Sequence, residues 1–178
     1  VLEIYPDGRY LLFCGTAKQG LCTLYSQESL PRFQSLDANN MVNYLGSRKG
    51  TVAFFGRGLS VGSSNTTALY VGTNYDERPM EYFSEALSAR RLVQATNGKY
   101  NISYLHEDPR TNAFSFINYL DGQDNYRVKF VYGFEYQGFS YFLTVQRDIF
   151  VNDYVTRLVR VCQKDPAFYS YTELTLNC

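Results

Sequence analysis

The sequence of 178 residues has no tryptophan, a single histidine and no run of like charges. Its 17 basic and 17 acidic side chains cancel to a formal net charge of zero. This balance argues against nucleic acid as a partner, because binding to phosphates needs a basic face that displaces counterions. No segment has the roughly 18 to 20 consecutive apolar residues that cross a bilayer. The sequence therefore predicts no nucleic-acid partner and no direct membrane insertion by this segment.

The scarcity of histidine also limits the chemistry. His106 lies beside two carboxylates in a polar, proline-containing loop, and with one histidine neither a two-histidine zinc site nor a cysteine–histidine nucleophile is easy to assemble. The glycine-rich stretch 56–64 lacks the Lys-Ser/Thr ending of a phosphate-binding loop. The acidic stretch LDGQDNY (120–126) lacks the closing glutamate of a twelve-residue calcium loop. We predict no catalytic residue, no metal and no cofactor.

Aromatic and turn-forming residues are abundant instead, with 17 tyrosines, 13 phenylalanines and 13 glycines. Runs rich in aromatic and β-branched residues, bounded by Gly, Pro, Asn and Asp, are typical of short strands separated by turns. Ten such runs predict an all-β protein: 9–15, 21–26, 51–57, 67–73, 89–94, 113–120, 128–136, 139–147, 154–162 and 169–176.

The last four runs predict a four-stranded antiparallel sheet, because a short turn at Gln137–Gly138, a second at 152–154 and a third at 163–168 separate them. The runs 51–57, 67–73, 89–94 and 113–120 repeat this rhythm more loosely. Four strands per unit is the pattern of a propeller blade, and blades bury their faces only against other blades. We expect about two and a half four-stranded blades.

Arginines alternate with apolar residues in two of the predicted strands. Arg90, Arg91, Arg157 and Arg160 have the spacing of strand residues that lie at edges or on solvent faces, where charge discourages unwanted strand pairing. We expect most of the four to be exposed.

Two glycosylation triplets and four cysteines indicate the compartment. Asn65-Thr66-Thr67 and Asn101-Ile102-Ser103 both fit the acceptor pattern, and both lie in polar stretches that we interpret as turns, where a glycan can project. Together with cysteines that look paired, the triplets favour a secreted or cell-surface protein.

Longer segments resemble one family. LLFCGTAKQGLCTL, LYVGTNYDERPMEYFSEALSARRL, FVYGFEYQGFSYFLTVQ and TRLVRVCQKDPAFYSYTELTLNC are similar, in order, to segments of the sema domain of plexin receptors, which are kin to the hepatocyte growth factor receptor. The resemblance implies a seven-bladed β-propeller. It implies that 1–178 is part of a single sema domain, roughly blades 2 to 4, incomplete at both ends, so that the remainder of the same domain is a partner.

The resemblance also implies a function: the extracellular, ligand-binding portion of a single-pass receptor at the plasma membrane, which recognises a semaphorin and transmits guidance or adhesion signals. The side loop that matches the ligand-binding region is 74–83, which combines charge, methionine and aromatic residues as interfaces do. The candidate contact residues are Asp76, Glu77, Arg78, Met80, Glu81 and Tyr82.

Two alternatives remain open. The first is the sema domain of a growth-factor receptor tyrosine kinase, which shares the fold. The second is an extracellular propeller hydrolase such as a glycosidase, which would need two carboxylates about 5 to 10 Å apart in a concave pocket. No pair of carboxylates at strand ends stands out in the sequence, so we expect no enzymatic activity.

The cysteines fall into two groups. Cys14 and Cys22 flank a glycine-containing turn between two predicted strands, which brings their α-carbons within the ~4.4 to 6.8 Å that a disulfide requires. In a hairpin centred on Pro166, Cys162 lies opposite 169–171, so Cys178 is beyond its reach. The family resemblance implies that Cys162 and Cys178 pair with cysteines outside this chain.

Overall fold

The computed structural model describes residues 1–29, 33–58, 66–76, 86–105, 128–148, 153–165 and 167–177, and the backbone of 113–114. In this part of the chain there are thirteen β-strands, two short 3₁₀ helices at Ala17–Gly20 and Met41–Asn43, and no α-helix. The prediction of an all-β protein is confirmed.

The strands form three antiparallel sheets, each with its strands in chain order. The first sheet contains β1 (Leu2–Ile4), β2 (Tyr10–Cys14), β3 (Cys22–Ser26) and β4 (Phe33–Ser35). The second contains β5 (Thr51–Arg57), β6 (Thr67–Thr73), β7 (Leu87–Gln94) and β8 (Tyr100–Tyr104), with the short β9 (Ala113–Phe114) beside β7. The third contains β10 (Lys129–Tyr136), β11 (Phe139–Asp148), β12 (Asp153–Cys162) and β13 (Thr172–Leu176).

The observed sheets differ from the predicted ones in two details. The first sheet is a complete four-stranded sheet, because β1 and β4 add to the two predicted strands, so the chain has three blade-like units and not two and a half. In the second sheet the fourth strand is chiefly β8, which pairs with residues 90–94 of β7. Of the predicted strand 113–120, only 113–114 is described, and it pairs with Leu87 and Ser88.

The sheets stack face to face, with β6 in the middle of the stack. Leu69 and Val71 pack into an apolar cluster with the first sheet, while Ala68 and Tyr70 pack into a cluster with the third. Successive side chains of a strand point to opposite faces, so β6 can be apolar on both sides only when both sides are covered. This explains why TALYVGT is a continuous apolar run with no alternation.

Glycines allow the second and third sheets to approach closely. A Cβ on Gly72 would lie 2.6 Å from Cγ of Phe130, and one on Gly133 would lie 2.6 Å from Cε1 of Phe54. Both glycines therefore face aromatic rings across the interface, where no larger side chain fits. Tyr70 lies in the same interface and donates a hydrogen bond from its hydroxyl to the carbonyl of Arg57 at 2.9 Å. Burial raises the pKa of this phenol, which keeps it a neutral donor.

Side-chain amides join the outer edges of the first and second sheets. Gln34 holds both backbone groups of Tyr100, donating to its carbonyl at 2.8 Å and accepting from its N–H at 3.0 Å. Asn43 accepts from the N–H of Ile102 at 2.7 Å, and Asn40 donates to its carbonyl at 3.2 Å. We call Gln34, Asn40, Asn43 and Asn101 the amide brace. It satisfies edge groups of β8 that would otherwise invite another strand.

A disulfide closes one end of the first sheet. Cys14 and Cys22 are directly opposite each other in the β2–β3 register, with their α-carbons 4.2 Å apart, and their sulfurs are bonded. The predicted Cys14–Cys22 disulfide is confirmed. Both cysteines are buried in the cluster between the first and second sheets.

Candidate ligand-binding surface

The predicted ligand loop 74–83 begins in a rigid junction between the second and third sheets. Asn74 follows β6 directly, and its amide holds both backbone groups of Phe130, accepting from the N–H at 2.6 Å and donating to the carbonyl at 3.3 Å. The same amide nitrogen donates to the carbonyl of Lys49 at 2.8 Å. The hydroxyl of Ser47 donates to the Asn74 carbonyl at 2.5 Å. These bonds fix the point from which the loop departs.

Asp76 is not the exposed rim charge that the sequence indicated. Its side chain is only 5% exposed, and its Oδ2 accepts a hydrogen bond from the backbone N–H of Arg48 at 2.8 Å. This bond ties the loop to the 47–50 turn, so Asp76 serves the fold of the loop's root and is not available to a ligand. The partner lies 28 residues earlier in the chain, which local sequence patterns cannot show.

The other predicted contact residues, Glu77, Arg78, Met80, Glu81 and Tyr82, lie outside the described residues. Their contact role stays a prediction. The described root shows that the loop leaves the stack beside the start of β10, at the end of β6.

The outer faces of the first and third sheets are apolar and exposed. On the first sheet, Leu2 is 63% exposed and Ile4 is 58% exposed, and they lie on the face opposite the buried Leu12. On the third sheet, Tyr132 is 62% exposed and Leu174 is 61% exposed. The ring of Phe134 stacks on Tyr141 there, with centroids 5.1 Å apart. Exposed apolar areas of this kind mark surfaces that another element covers.

A tightly bonded turn after β12 presents another exposed aromatic residue. Phe168 has a positive φ of 55° and is buried, whereas the next residue, Tyr169, is 92% exposed. Asp165 holds the turn by accepting from the N–H groups of Ala167 at 3.1 Å and Ser170 at 2.5 Å. Partial burial raises the pKa of the Asp165 carboxyl, but the bonds from Ser170 and Ala167 outweigh that effect, and the pKa lies below its ordinary value.

A shallow cavity of about 210 Å³ lies between the first and second sheets. Aromatic rings dominate its walls, and the Tyr10 and Tyr100 hydroxyls meet at 3.3 Å. Its lining residues are Tyr10, Leu24, Ser26, Phe33, Gln34, Gly98 and Tyr100, none of which is a carboxylate or a histidine. The cavity therefore lacks the acid and base of a hydrolase.

The prediction that most of the four strand arginines are exposed is partly wrong. Arg90 is 1% exposed, and it donates to the Ser88 hydroxyl at 2.8 Å and the Val42 carbonyl at 2.7 Å. Arg157 is also mostly buried and pairs with Asp148 at 3.2 Å and with Glu173. Arg160 is exposed, as expected, and its guanidinium lies 4.8 Å from the centre of the Phe139 ring.

Asp148 and Glu173 are the carboxylates that converge on Arg157 in the third sheet. Glu173 is further bonded to the amide of Gln146 at 3.2 Å and to the hydroxyl of Tyr171. Oxygens held by such structural bonds are poorly placed to act as the acid and base of a glycosidase. Within the described ranges, no three His, Cys, Asp or Glu side chains form a group that could hold a metal ion, and no helix is long and apolar enough to cross a membrane.

The modification residues are only partly described. Asn65 and Cys178 lie outside the described residues. Asn101 is in strand β8, not in the turn that we expected. Cys162 forms no disulfide with a described residue, and its backbone N–H donates to the hydroxyl of Ser170 at 2.9 Å, which agrees with the predicted hairpin register. The pairing of Cys162 and Cys178 with cysteines outside the chain stays a prediction.

Known proteins with similar sequence and structure are plexins. No family model matches the chain. Plexin-A2 of Homo sapiens is 31% identical over 190 residues, 98% of this chain, and plexin-A4 of Danio rerio is 29% identical over 192 residues, 100% of this chain. The chain spans 10% of the length of each of these relatives. A solved structure of the plexin A4 full extracellular region superposes with a TM-score of 0.75 and 25% identity, covering 99% of this chain and 20% of that one.

Three stacked four-stranded antiparallel sheets define the chain as part of a β-propeller. Sequence similarity over its whole length and structural similarity over nearly all of it identify that propeller: the chain is a segment of a plexin-type receptor extracellular region. An extracellular location follows from this relationship.

Proposed function

We propose that the chain is a sector of a sema-domain propeller, roughly blades 2 to 4, in a receptor at the plasma membrane that recognises a semaphorin and transmits guidance or adhesion signals. The observation that supports this most strongly is the similarity to the plexin extracellular region across 99% of the chain. Because the two relatives described above are plexins, this proposal is favoured over a growth-factor receptor tyrosine kinase.

The first partner that we propose for this chain is the remainder of the same propeller, which would cover the two outer faces of the stack. The outer faces of the first and third sheets carry the same apolar, aromatic character as the two faces already packed inside the stack. A further blade on each side would bury Leu2 and Ile4 at one end of the stack and Tyr132 and Leu174 at the other. Each side chain of this size gains about 1.5 to 3 kcal/mol when fully buried.

The semaphorin contact is proposed for residues 77–82, which follow the rigid root formed by Asn74 and Asp76. A ligand loop binds more tightly when its base is fixed, because less conformational entropy is lost on binding. In this loop Met80 and Tyr82 supply apolar anchors, while Glu77, Arg78 and Glu81 supply a charged rim. Asp76 is assigned to the root and not to the contact.

Exchanging the charges of the rim tests this proposal. The double variant Glu77→Lys/Arg78→Glu keeps the net charge, so only the local charge pattern changes. We expect semaphorin to associate about three- to tenfold more slowly, because rim charges act mainly on the association rate, with an unchanged melting temperature. Surface plasmon resonance with the immobilised ectodomain measures the rate.

The control for this test is Lys164→Glu, a charge reversal at an exposed site far from the loop. Lys164 is exposed in the turn after β12, at the end of the third sheet opposite to the start of β10. We expect it to bind semaphorin as the wild type does. Equal association rates for the charge-swap variant and the wild type would contradict a contact at 77–82.

A further inference from the structure

We propose that Asn101 carries an N-linked oligosaccharide on its amide nitrogen while its amide oxygen continues to serve in the amide brace between the first and second sheets. The inference rests on the extracellular location that accompanies the proposed function. It assigns one residue two roles, one covalent and one structural, through its two different amide atoms.

The strand position of Asn101 presents the acceptor triplet on one face. Asn101 and Ser103 are two residues apart in β8 and therefore lie on the same side of the sheet. The residue between them, Ile102, lies on the other side and is 1% exposed in the cluster that joins the first and second sheets. The acceptor side chain and the hydroxyl of its triplet thus point away from this apolar cluster.

The amide geometry of Asn101 separates the two roles. Its Oδ1 accepts from the backbone N–H of Asp37 at 3.3 Å and from the side-chain nitrogen of Asn43 at 3.2 Å. Its Nδ2 donates to none of the described residues, and it is not among their buried side-chain atoms without a partner. A nitrogen that is neither bonded to a described residue nor buried without a partner reaches solvent. The atom that would carry the sugar is the one that the fold leaves open.

Glycan transfer is chemically compatible with the brace. Nδ2 attacks C1 of an oligosaccharide held on a lipid diphosphate; the new bond joins Nδ2 to C1, the bond from C1 to the diphosphate oxygen breaks, and Nδ2 loses one proton while the lipid diphosphate leaves. The product is a secondary amide, so its carbonyl oxygen still accepts the bonds from Asp37 and Asn43. Neither bond has to break for the glycan to be present in the folded protein.

The amide brace also implies that the glycan is transferred before β8 packs on the first sheet. In the folded protein the backbone N–H of Ile102 is bonded to Asn43, and its side chain is buried. The enzyme that transfers the oligosaccharide must bind the backbone and side chains of the triplet, so it can do so only before β8 packs on the first sheet. The glycan then lies at the start of β8, at one end of the second sheet. The proposed ligand loop begins after β6, at the other end of that sheet. The glycan leaves that loop uncovered.

Site-specific mass spectrometry of the secreted ectodomain tests the proposal. The ectodomain is expressed in animal cells behind an exogenous signal peptide. It is then treated with an amidase specific for N-glycans in water that contains heavy oxygen. The amidase removes each glycan and converts the glycosylated Asn to Asp that carries the heavy oxygen. We expect labelled Asp at position 101 in the wild type and in Ser103→Thr, and unlabelled Asn in Ser103→Ala. The Ser103 variants leave the Asn101 amide and its hydrogen bonds in place.

The outcomes distinguish this inference from the proposed function. Unlabelled Asn101 in a secreted ectodomain would overturn the inference, whether or not that ectodomain binds semaphorin. Labelled Asp at 101 supports it even if semaphorin does not bind, a result that would count against the proposed function alone. We further expect Ser103→Ala to bind semaphorin as the wild type does, because the glycan and the ligand loop lie at opposite ends of the sheet.

Discussion

Replacing Gly72 by alanine is expected to destabilise the junction between the second and third sheets by about 1 to 3 kcal/mol, towards the upper end of that range. The added Cβ would lie 2.6 Å from Cγ of Phe130, far inside van der Waals contact. Phe130 is buried and packs against Phe142, with ring centroids 5.6 Å apart, so it has little room to withdraw. Hydrogen exchange of β6 and β10 in the ectodomain measures the loss of local stability, expected as about tenfold to a hundredfold faster exchange.

A double variant shows whether the ring is the cause. In Gly72→Ala/Phe130→Ala the added methyl group occupies space that the ring has vacated, so the double variant should be less destabilised than the sum of the two single variants. Additive effects would mean that Gly72 and Phe130 do not meet across the sheets, and the stacking of the second on the third sheet would then be wrong.

Reversing the charge at Asp76 is expected to cost about 3 kcal/mol or more of stability, in contrast to charge reversal on an exposed loop. The variant Asp76→Lys removes the acceptor for the Arg48 N–H and places an ammonium group in a site that is 5% exposed. We expect the backbone amides of residues 47–50 to exchange much faster with solvent. Loss of semaphorin binding in this variant would then follow from disorder of the loop's root.

The conservative variant Asp76→Asn is the control. Its amide oxygen can still accept from Arg48, so we expect a loss of about 1 kcal/mol, typical of a neutral hydrogen bond in place of a charged one. If Asp76→Lys left exchange at 47–50 unchanged while it weakened semaphorin binding, the residue would be a contact residue, as the sequence first indicated.

Strong local patterns predicted most of the strands. β5 and β6 have the same bounds in the structure as in the sequence analysis, because each is a compact aromatic or apolar run between turn residues. The Gln137–Gly138 hairpin was also predictable. Both residues have positive φ, which suits the tight turns that join antiparallel strands and that glycine favours.

The strands that the sequence did not predict depend on distant partners. β1 and β4 have three residues each, too few to show a period. β8 is polar enough to be mistaken for a turn, and the groups that complete its edge come from Gln34, Asn40 and Asn43, about sixty residues earlier. A side-chain amide that replaces a neighbouring strand leaves no periodic pattern in the sequence.

The candidate surface was less predictable than the fold for a related reason. Composition identified 74–83 as a loop with interface-like residues, but it could not separate a buried anchor from an exposed contact. Asp76 and Glu77 are adjacent acidic residues, and only the bond from Arg48 shows that the first belongs to the root. Likewise Arg90 looks like a surface charge until the Val42 carbonyl and the Ser88 hydroxyl are found beside it.

Hydroxyl-radical footprinting of the wild-type ectodomain tests most directly whether this chain is an internal sector of a propeller. The two outer faces carry Leu2 and Ile4 at one end of the stack and Tyr132 and Leu174 at the other. If further blades cover both faces, these side chains should be as strongly protected as the buried Phe142, once each rate is divided by the intrinsic reactivity of its residue type, while Met41, which is 41% exposed beside the amide brace, is weakly protected. Weak protection of Tyr132 and Leu2 on the same normalised scale, like that of Met41, would contradict it.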